Sequence, residues 1–194
     1  ITIVTGGDAG TAEGEFASCL VWASRQGREL PILIIVANNS WGISTSAREV
    51  RCDRPIADRA RAFGIQGLTI DGNDPEIAYE AIQKAMEMVR TTRKPYFIEA
   101  NVSRLYGHSS ASGANFAKGE VDCLAVFEKK LQAEKIISVE QCQKLREKYE
   151  QESLDCAQKV LQEAKPEAST IFDDVFVDRK DAIEPWPRWL KQSA

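Results

Sequence analysis

The sequence predicts an α/β fold: a mostly parallel sheet with helices on both faces, followed by C-terminal helices. Three observations predict it. Short apolar runs alternate with segments of helical periodicity along the first hundred residues. The runs Ile1–Gly7 and Pro31–Ala37 lack polar alternation, as buried parallel strands do. Each run ends in an oxygen-bearing residue, Asp8 in one and Asn38-Asn39 in the other, about thirty residues apart. Ligands bind beyond the carboxyl ends of strands in open α/β sheets.

The elements follow in order. After the first strand, residues 11–27 read as a helix, with Phe16, Leu20 and Ala23 on one face and Gly27 as its stop. Strand 31–37 follows, then a polar, irregular stretch over 40–53. Asp53-Arg54-Pro55 opens a short helix through Ala62, closed by Gly64. Leu68–Ile70 is a short strand, and Asp71-Gly72-Asn73-Asp74 a turn that caps the next helix. That helix starts at Pro75 and carries Ile77, Ala81, Ala85 and Met88 on its apolar face. Strand 96–102 completes the alternation. Residues 103–119 form a loop of small and polar residues, long enough to suggest function. A helix from Val121 to Gln132 comes next; Ser138 and Gln141 then read as a capping box for a charged helix to about Ala164, which Pro166 ends. The aromatics of 184–189 suggest docking against another surface. The expected organisation is an α/β cofactor domain over 1–133, lacking its N-terminal part, and a helical extension over 134–194.

Bulk properties narrow the class. There are 25 basic against 29 acidic residues, a net charge of -4, with Lys and Arg scattered. This argues against nucleic acid or an anionic membrane as partner. No apolar stretch reaches membrane-spanning length, and no signal peptide is visible. The five cysteines are dispersed and odd in number, which fits reduced thiols in a cytoplasmic-type compartment. The chain starts without Met, inside an apparent core strand, and is expected to be a fragment or a partly ordered protein.

One carboxylate, one amide and a glycine-rich turn suit a diphosphate held through a divalent cation. Gly7-Asp8-Ala9-Gly10-Thr11-Ala12-Glu13-Gly14, then Asn38-Asn39-Ser40-Trp41-Gly42-Ile43-Ser44-Thr45, Asp71–Asp74, Pro95–Ala100 and Gly107-His108-Ser109 appear in that order. This series resembles the alpha subunit of the thiamine diphosphate-dependent, decarboxylating first component of 2-oxo-acid dehydrogenase complexes. The resemblance runs from residue 1 to about residue 130, with the tail 171–176 resembling the family's closing segment.

The resemblance implies the thiamine diphosphate-binding fold and a set of roles. Asp8 and Asn39 would bind Mg²⁺ through side-chain oxygens, and Trp41 through its carbonyl. The amides of Ala9 and Gly10 would face the diphosphate. His108, the only histidine, would reach the diphosphate and act in catalysis, with Arg104 nearby. Implied partners are a beta subunit or fused second half, a lipoyl-bearing acyltransferase and a 2-oxo acid, pyruvate or branched-chain. The implied location is the bacterial cytoplasm or, in a eukaryote, the mitochondrial matrix. Two departures stand out. Ala9 replaces the motif's second glycine, so either Gly10 takes over its geometry or diphosphate affinity falls. Residues 110–118 lack the family's acidic pair, so the regulatory phosphorylation matched by Ser109 is not carried over. Two other readings remain open: a transketolase-like enzyme, against which Asn-Asn and Gly-His-Ser both speak, and a degenerate assembly domain.

Overall fold

The computed structural model describes residues 1–108, 119–168 and 170. The chain divides into two compact units, at Ser138 and Val139. The first holds strand β1 (Thr2–Gly7), a 3-10 turn (Ala9–Ala12), helix α1 (Gly14–Ala23) and strand β2 (Ile32–Asn38). A two-stranded hairpin, β3 (Trp41–Gly42) and β4 (Thr45–Ser46), leads into the short helices α2 (Ala47–Val50) and α3 (Ala57–Ala62). Strand β5 (Gln66–Asp71), helix α4 (Pro75–Thr92), strand β6 (Tyr96–Asn101) and helix α5 (Cys123–Ala133) follow. The second unit contains the charged helix α6 (Val139–Gln162).

The main sheet is wholly parallel, in the order β1-β2-β6-β5. The order dictates where the helices lie. The steps β1 to β2 and β2 to β5 run one way across the sheet, and β5 to β6 runs back. Right-handed crossovers then place α1 and α3 on one face and α4 on the other. The cores agree. Leu20 and Ala23 of α1 and Ala57 and Ala60 of α3 pack with Ile34, Val36 and Phe97. Ala81, Ala85 and Val89 of α4 pack with Leu33, Ile70 and Ile98 on the opposite face. The predicted sandwich of helices around a parallel sheet is therefore the fold.

The register sets the site. Gly7 pairs with Ala37, and Asn38 with Asn101, which in turn pairs with Asp71. Asp8, one residue past Gly7, is level with Asn38. A row of polar side chains thus stands along the carboxyl edge.

Several expectations change. The first strand was expected to be buried, yet all six residues of β1 are exposed. It is an edge strand, and α1 sends Leu20 and Ala23 onto β2 and β6 instead. The expected helix 11–27 is broken at Glu13, whose extended backbone separates the 3-10 turn from α1. The stretch 40–53 is ordered: Ser46 and Glu49 form a reciprocal capping box on α2 after the hairpin. On α4 the buried line runs through Ala81, Ala85 and Val89, while Ile77 and Met88 stay exposed. Ala81 and Ala85 are buried as expected, and the stripe continues to Val89 rather than Met88. The cap on α4 is as expected, with Asp74 accepting from the amides of Glu76 and Ile77 at 2.9 and 3.3 Å. Helix α5 starts two residues later than expected, where Asp122 accepts from the Ala125 amide. The predictions for 109–118, 171–176 and 184–189 lie outside the described residues.

Phe97 is fully buried and touches Phe16 edge-on, with ring centroids 6.1 Å apart. Phe97→Ala is expected to lower unfolding free energy by about 3–5 kcal/mol, measured by urea denaturation. Trp22→Ala, at a side chain that is 58% exposed, should cost less than about 1 kcal/mol.

Candidate metal and cofactor site

The carboxyl edge of the sheet gathers the candidate residues. Asp8 sits where β1 ends, with its amide bonded to the Ala37 carbonyl at 3.2 Å. Its own carbonyl accepts from the Thr11 hydroxyl at 2.6 Å and the Thr11 amide at 3.1 Å, which winds the chain into the 3-10 turn. Arg59 of α3 donates to the Thr11 carbonyl at 2.6 Å and ties the turn down. The Asp8 side chain is thereby buried, at 4% exposure.

Burial pushes the Asp8 carboxyl above its ordinary pKa, because a charge there has lost its water. The Arg51 guanidinium, 3.8 Å away, pulls it back, as do the backbone amides of Asp8, Ala9 and Asn39. Burial outweighs these, so Arg51 and the amides do not fully offset the lost hydration. The influence of the Asn39 amide also places Asn39 beside Asp8.

Asn39 makes an Asx turn, its Oδ1 accepting from the Trp41 amide at 2.9 Å. A carbonyl oxygen has two lone pairs, so one remains for a cation. The hairpin that carries Trp41 lies against Ala9. A Cβ placed on Gly42 would come within 2.7 Å of the Ala9 Cβ. The close approach that the motif needs is therefore provided at Gly42. Among the described residues neither Ala9 nor Gly10 has positive φ; both lie in the right-handed 3-10 turn. Ala9 is accommodated without the geometry that glycine alone would permit.

Arg104 reaches the same hairpin. It donates to the Ile43 carbonyl at 2.7 Å and its guanidinium lies 5.1 Å from the centre of the Trp41 ring. It fixes a turn whose backbone is strained, since Ser40 and Ile43 have φ of 62° and 56°. His108 is exposed, at the end of the described part of its loop. The structure thus brings Asp8, Ala9, Asn39, Trp41 and Arg104 to one corner, and leaves His108 at the surface.

Three residues to which the sequence assigns no site role, Asn38, Glu99 and Arg51, organise this corner. Asn38 is buried, and its Nδ2 donates to Glu99 Oε1 at 2.7 Å and to Asn101 at 3.3 Å. Its Oδ1 accepts from the Ser40 amide at 3.1 Å and from Arg51 at 2.9 Å. Glu99, 1% exposed, also accepts from the Ala57 amide at 3.0 Å and the Thr69 hydroxyl at 3.2 Å. A charged residue in the apolar run 96–98 and beyond was the available signal for Glu99. An arginine in a polar stretch gives no such signal for Arg51.

The donor set fits a hard cation. Mg²⁺ binds oxygen, needs only one or two carboxylates and shares its shell with phosphate oxygens and water. Asp8, the Asn39 amide and the Trp41 carbonyl are of this kind. No group of three or more His, Cys, Asp or Glu is found among the described residues, so a soft, closed transition-metal cage is not built from them.

The raised Asp8 pKa has a stability consequence. In the unfolded chain the carboxyl ionises near 3.8, and in the folded chain at higher pH. Between those values the folded state holds more protons, so stability falls as pH rises through that window. Without added metal, Asp8→Asn should therefore raise urea stability at pH 7. The gain should shrink as pH approaches 3.8, and paired denaturation curves across that range will measure it.

The Dehydrogenase E1 component family matches residues 1–169. A mitochondrial 2-oxoisovalerate dehydrogenase subunit alpha 2 from Arabidopsis thaliana is 30% identical over 179 residues, covering 88% of this chain and 38% of that one. A pyruvate dehydrogenase E1 component subunit alpha from Acholeplasma laidlawii is 36% identical over 111 residues, covering 57% and 32%. An Arabidopsis thaliana chain provisionally named a 2-dehydropantoate 2-reductase is 29% identical over 195 residues, covering 96% and 53%. The chain spans about half, or less, of the length of these curated relatives. No helix among the described residues is long and apolar enough to cross a membrane. With the family matched along most of its length, the chain belongs to the dehydrogenase E1 component family.

Proposed function

We propose that this chain holds the diphosphate and Mg²⁺ of thiamine diphosphate in the decarboxylating component of a 2-oxo-acid dehydrogenase complex. The observation that carries this reading is the buried Asp8 carboxyl beside Asn39 and the Trp41 hairpin at the carboxyl edge of a parallel sheet. Family membership and the names of the relatives support it.

When bound, thiamine diphosphate supplies a carbanion that adds to the 2-oxo carbonyl and an electron sink for the departing CO₂. This chain's residues serve anchoring and orientation. Asp8, the Asn39 side chain and the Trp41 carbonyl hold the metal, and the latter two are set by one Asx turn. The amides of Ala9 and Gly10, at the start of the 3-10 turn, face the phosphates. Arg104 holds the hairpin that presents Trp41. His108, exposed in this chain, would reach the diphosphate and act in catalysis in the loaded assembly, as the family resemblance implies. A beta subunit or fused second half contributes the rest of the site. A lipoyl group on an acyltransferase partner would accept the fragment as a thioester, its disulfide being reduced by the two electrons left when CO₂ departs. The complex works in a bacterial cytoplasm or a mitochondrial matrix, on pyruvate or a branched-chain 2-oxo acid.

The test uses the full parent chain assembled with its beta partner or fused half. Reduction of an artificial electron acceptor, dependent on a 2-oxo acid, is followed with and without thiamine diphosphate and Mg²⁺. Cofactor-dependent turnover is expected, with a loss on the order of 100-fold in Asn39→Ala. Folded, assembled protein with no turnover on pyruvate or branched-chain acids would contradict the reading.

A further inference from the structure

Arg51 is a buried cation with too few partners. Its side chain is 10% exposed, and its Nε is buried with no hydrogen-bond partner. One Nη donates to Asn38 at 2.9 Å, and the other to the Arg54 carbonyl at 3.4 Å. Both acceptors are neutral. Its one ion pair among the described residues, with Asp8, is long at 3.8 Å and carries no hydrogen bond. A buried guanidinium with five donors is normally satisfied by a carboxylate or phosphate through paired hydrogen bonds.

Its surroundings suit an anion. Arg51 lines a cavity of about 560 Å³ together with Ser40, Trp41, Ser46, Ala47 and Arg48. The wall offers two guanidinium groups and two hydroxyls. Asp53 is the one carboxylate in it. The cavity adjoins the metal corner, because Trp41 and Arg51 belong to both.

Charge balance decides which anion. In the proposed site, Asp8 and a divalent cation leave a net charge of about +1, against a diphosphate of roughly -2 to -3. Asn39 and the Trp41 carbonyl are neutral. A further cation near Asp8 would complete the balance; Arg59 and Arg104 are committed to the Thr11 and Ile43 carbonyls, and Arg51 is the guanidinium paired with Asp8.

We propose that Arg51 binds the diphosphate of the cofactor and discriminates diphosphate from monophosphate. This rests on the function proposed above and adds a residue to it. Glu99 and Asn38 position the guanidinium: Glu99 holds the Asn38 amide so that its oxygen faces Arg51. Arg48, on the exposed first turn of α2, is the flanking charge.

The test measures equilibrium binding by titration calorimetry on the assembled full-length protein at saturating Mg²⁺. The probes are thiamine diphosphate and thiamine monophosphate, and the proteins are wild type, Arg51→Gln, Arg51→Lys and Asp8→Asn. Arg51→Gln is expected to weaken thiamine diphosphate binding roughly 10- to 100-fold. The diphosphate-to-monophosphate affinity ratio should fall with it, and Arg51→Lys should restore part of the ratio. A purely structural arginine would lower both affinities together and leave the ratio unchanged, which would overturn the proposal. So would unchanged or tighter diphosphate binding in Arg51→Gln while Asp8→Asn abolishes it; the wider functional reading would then survive. Absence of binding to wild type would remove both. Should Arg51→Gln fail to fold, an unchanged ratio in Arg51→Lys, whose ammonium cannot make paired contacts, would overturn the proposal, and a lowered ratio would support it.

Discussion

Glu99 lies in the centre of β6 at 1% exposure, and its two oxygens serve three elements. One accepts from Asn38 of β2; the other accepts from the first amide of α3 and from Thr69 of β5. A buried carboxylate is costly unless it is fully hydrogen-bonded, and this one is. Its bonds fix the side chain of Asn38, which in turn takes the Ser40 amide and the Arg51 guanidinium. The turn carrying Asn39, the start of the hairpin and the cation beside Asp8 all hang from this link. Removing either partner would cost the other a buried hydrogen bond, so the corner behaves as one unit.

The same corner shows where a protein departs from the most stable arrangement. Asp8 is buried without full charge compensation, Arg51 keeps a buried nitrogen unpaired, and Ser40 and Ile43 take left-handed backbone angles. Each costs free energy, and the three meet at the carboxyl edge of the sheet although they come from separate stretches of chain. Elsewhere the sheet is conventional, with small residues of α4 and α3 letting the helices approach closely. Among the described residues left-handed backbone also occurs at Arg93 and Lys135, but only at this corner does it coincide with undercompensated buried charge, as a site preorganised for a ligand requires.

Much of this could be read from the residues. Apolar runs 31–37 and 96–102 are central strands, and a strand buried on both faces has no alternation to misread. Pro75 after Asp74 located the start of α4 to the residue. Asp8 and Asn39 were legible because they end their strands. Other features depend on tertiary contacts that no local pattern carries. The exposure of β1 follows from its place at the sheet edge, and the path of α1 decides it. The hairpin 41–46 is too short to show periodicity. Gly42 matters only because Ala9, thirty-three positions earlier in the chain, lies against it. Arg51 and Glu99 act through partners 13 to 61 residues distant.

In the proposed function Asp8 and Asn39 share one metal ion with a diphosphate. A crystal structure of the assembled protein grown with thiamine diphosphate and Mg²⁺ tests it most directly. The account predicts octahedral density bonded to Asp8 Oδ, Asn39 Oδ1, the Trp41 carbonyl and two phosphate oxygens, at about 2.1 Å. A metal bound through other residues, or a diphosphate seated away from the 3-10 turn, would contradict it.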